Sequence, residues 1–162
     1  MASPAPEIAI AGHLNTVLKN GQIDIPATQK KAQELAESGI SAIILLGFTG
    51  RYLGHTSRKI LLCTVHDLLF FLGYEYVKLI IGCGGADVQE TLEYISEAKD
   101  YFAGYALVLA PVNLDREAHA SEIEEFFTRV AWKSVLPVLR FGPMDRMGEL
   151  TILPYSIPSL IP

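Results

Sequence analysis

Four stretches of this chain are almost continuously apolar, yet each is only as long as a β-strand: ISAIILLG (Ile40–Gly47), YVKLIIGCGG (Tyr76–Gly85), YALVLAPV (Tyr105–Val112) and VLPVLRFG (Val135–Gly142). A strand with one wet face alternates apolar and polar residues. Unbroken apolar strands belong to sheets covered on both faces, which in practice are parallel sheets. This feature limits the folds open to the chain more than any other, because parallel neighbours need a crossover, usually helical, between them.

The crossovers are legible. PATQKKAQELAESG (Pro26–Gly39) reads as a helix with Asp24 as cap, Pro26 tolerated in the first turn, Ala32, Leu35 and Ala36 on one stripe, and Ser38-Gly39 as its stop. SRKILLCTVHDLLFFLG (Ser57–Gly73) reads as an apolar helix ending near Gly73. DVQETLEYISEAKDYFAG reads as a helix capped by Asp87, with Leu92 and Ile95 inward and Gly104 past its end. HASEIEEFFTRVAWKS carries Ile123, Phe126, Phe127 and Val130 at helical spacing. Upstream, EIAIA (Glu7–Ala11) is a short strand candidate and Asn20-Gly21 a turn signal. Residues 1–6 read as a loose tail. Residues 143–162 read as an irregular one, since they hold four of the nine prolines and cannot be one long helix.

The expected order is therefore β-α-β-α-β-α-β-α-β followed by a Pro-rich tail, an α/β fold in a single domain spanning 1–162. Two architectures fit: an open doubly wound sheet, or part of a (β/α)₈ barrel. A whole barrel takes about 250 residues, and this chain would supply about five-eighths of one. Length alone favours the open three-layer sandwich.

Composition narrows the function classes. Half the residues are hydrophobic and 19% charged, which argues against wholesale disorder. The net charge is −5, and the basic pairs Lys30-Lys31 and Arg58-Lys59 read as solvated helix faces, so no nucleic-acid partner is expected. The longest apolar runs fall far short of the ~20 residues of a membrane helix, so no membrane partner is expected either. The start, MASPAPEIAI, has neither a basic region nor a long apolar one and predicts no secretory signal. Cys63 and Cys83 are read as buried thiols of a reduced, cytoplasmic protein.

Ligands of parallel α/β folds meet the carboxyl ends of the strands. Those ends are Gly47-Phe48-Thr49-Gly50, Gly82-Cys83-Gly84-Gly85, Ala110-Pro111-Val112-Asn113 and Arg140-Phe141-Gly142-Pro143. Each is either a close backbone approach to an anion or an ordinary βα turn, since turns also use Gly and Pro. GCGG matches no dinucleotide fingerprint, and no P-loop or nucleophile elbow occurs, so no cofactor is expected. His13, His55, His66 and His119 show no metal-ligand spacing. His55 falls near a strand-end loop, His66 reads as a packed helix residue, and Cys63 has no evident base.

The segments NGQIDIPATQKKAQELAESGISAIILLGFTG, LIIGCGGADVQETLEYISEAKDYFAGYALVLAP and VLPVLRFGP together resemble the dihydrodipicolinate synthase / N-acetylneuraminate lyase superfamily of class I aldolases, nearest to the fungal 2-keto-3-deoxy sugar-acid aldolases. The first resembles the family's G-x-I-D … L-x-x-x-G-x-x-x-I-x-x-x-G-[ST]-T-G-E, with departures at two positions. The resemblance runs from about Asn20 to Gly148 and implies an incomplete (β/α)₈ barrel of about five βα units. It also implies a small 2-keto acid ligand such as pyruvate. In the family a lysine on the sixth strand forms a Schiff base with the keto acid, whose neighbouring carbon then becomes an enamine nucleophile. The loop after the second strand holds the carboxylate, and a tyrosine after the fourth passes protons.

Carried over by position, Gly47, Thr49, Gly50 and Arg51 are the expected substrate-binding residues. Phe48 stands where the family has Ser or Thr, Arg51 where it has Glu, and Val112 where it has the tyrosine. No lysine follows Lys133, and both Lys78 and Lys133 enter their strands rather than leave them. No catalytic residue is therefore assigned. The resemblance implies an aldolase-type lyase, impaired as this chain. The alternatives are a non-catalytic binding or interaction module, or a gene fragment. Five strands of an eight-stranded barrel also predict open sheet edges, an uncovered apolar inner face, and hence homo- or hetero-association.

Overall fold

The computed structural model describes residues 11–47, 53–111, 120–141 and 150–152. The chain forms β1 (Ala11–Leu14), β2 (Leu18–Lys19), β3 (Gln22–Ile23), α1 (Ile25–Glu37), β4 (Ala42–Leu45), α2 (His55–Phe71), β5 (Lys78–Gly82), α3 (Val88–Asp100), β6 (Tyr105–Val108), α4 (Ala120–Lys133), β7 (Val138–Phe141) and β8 (Leu150–Ile152). The strand expected at Glu7–Ala11 falls mainly outside the described residues; the described strand starts at Ala11.

Local signals account for the element ends. Asn20 and Gly21 have φ of 53° and 77°, the paired positive values that a tight two-residue hairpin between β2 and β3 requires. The Asp24 carboxylate accepts a hydrogen bond from the Ala27 amide at 3.0 Å and so caps α1. Gly39 and Gly73, at φ 84° and 81°, take the left-handed position that ends α1 and α2.

The sheet runs β1-β4-β5-β6-β7-β8, and every pair from β1 to β7 is parallel. A doubly wound sheet reverses its strand order at a switch point. Here the parallel strands follow chain order without reversal. Right-handed crossovers then put every helix on the same face. The open three-layer sandwich favoured by length alone is thus replaced by an incomplete (β/α)₈ barrel of five parallel strands. Burial alternates accordingly. Ile43, Leu45, Leu79, Ile81, Ala106, Val108 and Val138 pack with the helices in one core. The intervening residues Ala42, Ile80, Tyr105, Leu107 and Leu139 form a second cluster, with Ala11 and Ile44 against it.

That second cluster corrects one expectation. The inner-face side chains it contains are buried rather than uncovered, and they form one cluster. β8 adds an antiparallel strand on the far side of β7, pairing Leu139 with Ile152 and Phe141 with Leu150. No helix among the described residues is long and apolar enough to cross a membrane.

Candidate functional site

The carboxyl ends of β1, β4 and β5 converge on two glycines. After β4 the backbone turns at Leu46, whose φ of 59° is unusual for a branched residue and costs about 1–3 kcal/mol. The Leu46 side chain is buried in the helix-facing core, and that packing holds the strained backbone. The turn lays the Leu46 carbonyl over β5. A Cβ at Gly82 would sit 1.8 Å from Leu46 O and 3.2 Å from Gly47 Cα, so only glycine permits this crossing. On the other side, a Cβ at Gly47 would lie 2.8 Å from His13 Nε2. His13 pairs in register with Ile44 and is exposed.

Gly47 is thus buried between β1 and β5 at the expected end of the sheet. Thr49, Gly50 and Arg51, with Phe48, lie outside the described residues, as does Val112. His13 is a site neighbour that the sequence reading did not assign. The placement of the first strand at Glu7–Ala11 left it in an unassigned segment. Just past β1, Thr16 Oγ1 is buried and has no hydrogen-bond partner among the described residues.

The GCGG loop resolves toward the ordinary turn. The Gly85 amide donates to Thr91 Oγ1 at 3.1 Å, the Ala86 amide to the Glu90 carboxylate, and the Glu90 amide to Asp87 Oδ1 at 2.9 Å. These amides start α3 and are spent within it. The Arg140 side chain also leaves the site. It is paired with Glu124 on α4, its guanidinium lying 4.5 Å over the Phe127 ring. Arg140 sits opposite Val108, on the helix-facing side of the sheet.

Behind the strand ends lies a polar anchor that the sequence reading put in solvent. Arg58 is almost fully buried, so the solvated-face reading holds for its neighbour Lys59 alone. Arg58 Nη2 donates to Gly82 O at 3.0 Å, its Nε is 3.7 Å from Glu97 Oε1, and its guanidinium lies 4.5 Å over the Tyr94 ring. His55, in the first turn of α2, pairs through Nδ1 with the same Glu97 carboxylate. These contacts join α2, α3 and the end of β5. Burial pushes the Cys83 thiol up to about 12, partly opposed by the Arg58 charge beside it. Both cysteines are free; Cys83 is buried as expected, but Cys63 is only half-buried. Tyr105 on the inner face also has its pKa raised by burial.

The lysines sit at the other end. Lys78 opens β5 and Lys133 closes α4 ahead of β7, both at the amino ends of the strands. Among the described residues no group of three or more His, Cys, Asp or Glu side chains is placed to hold a metal ion.

No family model matches the chain. It is 30% identical over 123 residues to L-threo-3-deoxy-hexylosonate aldolase of Hypocrea jecorina, a match covering 74% of this chain and 39% of the relative. A solved dihydrodipicolinate synthase family protein from Coccidioides immitis superposes with TM-score 0.73 at 25% identity, covering 86% of this chain and 45% of that one. Over most of its length the chain is thus similar to aldolases and to dihydrodipicolinate synthase-family proteins. A third neighbour, Escherichia coli YagE solved in complex with pyruvate, matches with TM-score 0.66 at 25% identity over 80% of this chain and 43% of YagE. The chain spans between 37% and 48% of the length of the curated relatives it matches, which are aldolases and 4-hydroxy-tetrahydrodipicolinate synthases.

Proposed function

We propose that this chain holds a small 2-keto acid, pyruvate or a close analogue, at the carboxyl ends of β4 and β5 without forming the Schiff base on which aldolase turnover depends. The observation that carries the proposal is the position of the lysines. Lys78 and Lys133 lie at the amino ends of the strands, and no lysine follows Lys133 in the 162 residues. A Schiff base needs an amine within bonding reach of the keto carbon, and the enamine then needs a proton relay. Val112 supplies none. Recognition needs less: backbone amides of the Gly47 turn, the Thr49 hydroxyl, Gly50 for close approach, and Arg51 as counter-charge for the carboxylate. The pyruvate complex of YagE supports the ligand class. The two free thiols support a cytoplasmic setting.

Borohydride reduction in the presence of pyruvate, followed by intact mass, tests the covalent half. The protein is expected to stay unmodified beside a full-length aldolase that gains the adduct. An adduct on one lysine would refute the proposal. Calorimetry with pyruvate tests the binding half. The double change Thr49→Val, Arg51→Ala is expected to weaken affinity by about tenfold or more, and unchanged affinity would sink the loop assignment.

A second reading, association with another chain, is favoured by one observation. Among the described residues β1 pairs only with β4, which leaves its other edge without a strand. Light scattering after size exclusion at low micromolar concentration should then give a mass above 17.8 kDa. A sharp monomer peak would remove this reading and leave the first untouched.

A further inference from the structure

The opposite end of the sheet carries a pocket that the proposed keto-acid site does not use. It lies at the amino ends of β5 and β6 and has a volume of about 280 Å³. Leu69, Val77, Leu79 and Ala103, all buried, form its apolar floor. The length of β5, five residues or about 16 Å, separates it from the Leu46–Gly82 crossing.

One wall is held at a cost. α1 and α2 end on glycines in the left-handed conformation, Gly39 and Gly73. At the same position after α3 stands Phe102, with φ 70°. A bulky residue there is strained by about 1–3 kcal/mol, which a glycine would avoid. The strain does not serve core packing, because Phe102 is 56% exposed. It places the ring flat against the His66 imidazole, with centroids 3.8 Å apart and planes 11° apart. Phe70, 67% exposed, lines the same pocket and stacks more distantly on His66 at 6.5 Å. The result is a wall of flat rings standing open to solvent.

Two charged side chains also line the pocket. Neither Lys78 nor Glu75 has a side-chain hydrogen bond or ion pair among the described residues. The Lys78 ammonium offers an anionic group a counter-charge above the apolar floor. Glu75 disfavours a second carboxylate and can accept a hydrogen bond from a ring hydroxyl or amino group.

We infer that this pocket binds a planar aromatic monocarboxylate, its ring against the Phe102–His66 stack and Phe70, its carboxylate on Lys78. The volume admits one or two fused rings. Aromatic stacking sets the orientation, and the single ammonium selects the charge.

The test uses 2-naphthoate as probe, titrated by calorimetry into the intact chain, with 2-naphthamide as its neutral counterpart. Saturable one-to-one binding of the acid is expected, with the amide weaker by about tenfold or more. Lys78→Met, which keeps the stem and removes the charge, should weaken the acid to the level of the amide. Phe102→Gly, which removes the ring and relieves the backbone, should weaken both ligands without lowering the melting temperature. Excess pyruvate should not displace the probe. Absence of saturable binding at millimolar probe, equal affinity for acid and amide, indifference to Lys78→Met, or displacement by pyruvate would each overturn the inference. Because Lys78 is exposed, its replacement reads the site even if Phe102→Gly fails to fold.

Discussion

Gly82→Ala tests the crossing on which the candidate site is built. The added Cβ would stand 1.8 Å from the Leu46 carbonyl oxygen and 2.6 Å from its carbon, both backbone atoms that cannot rotate away. To restore ordinary contact, β5 or the Leu46–Gly47 turn must retreat by about 1.5 Å, more than overpacked cores usually absorb. Overpacking typically costs about 1–3 kcal/mol, and a backbone obstacle belongs at the upper end. Alanine lowers the entropy of the unfolded chain and returns about 0.4–1 kcal/mol. The net loss is about 2–3 kcal/mol, which for a chain of this size lowers the melting temperature by about 4–12 °C. Gly84→Ala is the internal control. Its Cβ would meet Leu109 N at 3.5 Å, an ordinary contact, so it should melt within about 2 °C of the parent. Calorimetric melting of the three proteins decides the matter. If Gly82→Ala melts with the parent, the Leu46 turn does not press on β5, and the account of a glycine-dependent site fails.

Arg58→Met removes one of the two basic partners of the half-buried Glu97 and the donor from Gly82 O while keeping the stem, and should cost about 2 kcal/mol or more in urea unfolding, because a buried carbonyl is left unsatisfied and Glu97 keeps only His55; a loss below about 1 kcal/mol would make the anchor dispensable. In the folded chain at pH 8, maleimide should label one thiol, that of half-buried Cys63, and both in denaturant. The Cys83 thiol also links folding to pH. Raised from 9.0 to about 12, it keeps its proton in the native state while the unfolded chain loses it, so its contribution is intact below about pH 9 and falls as pH rises toward 12, by at most about 1.4 kcal/mol per unit. Cys83→Ala should flatten that slope in urea titrations from pH 9 to 10.5, and an unchanged slope would refute the assignment.

The sequence by itself determined the βα alternation, the helix caps and the resemblance to the dihydrodipicolinate synthase-type aldolases. Those signals are local: Asp24 and Asp87 cap their own helices, Asn20-Gly21 closes its own turn, and runs such as AIIL declare two-sided burial wherever they are placed. The lysine argument was also legible, since whether a residue enters or leaves a strand is a matter of chain order. Strand neighbourhood was not. Consecutive and reversed parallel sheets are built from the same βα units, and only the pairing of β1 with β4, and so on to β7, separates an incomplete barrel from a sandwich. Arg58 was misread because a cation on an apolar helix looks the same in sequence whether it faces water, as its neighbour Lys59 does, or a partner. Its partners Glu97 and Tyr94 come from α3, 36 or more residues away in the chain. His13 escaped for a like reason, its meaning resting on Gly47 across the β1–β4 pair. Gly82 read as one glycine among several in a turn; that it must be glycine follows from the Leu46 carbonyl above it. Periodicity and capping act within a few residues of the chain. The close approaches that shape a site join elements whose relative placement exists only once the sheet has formed.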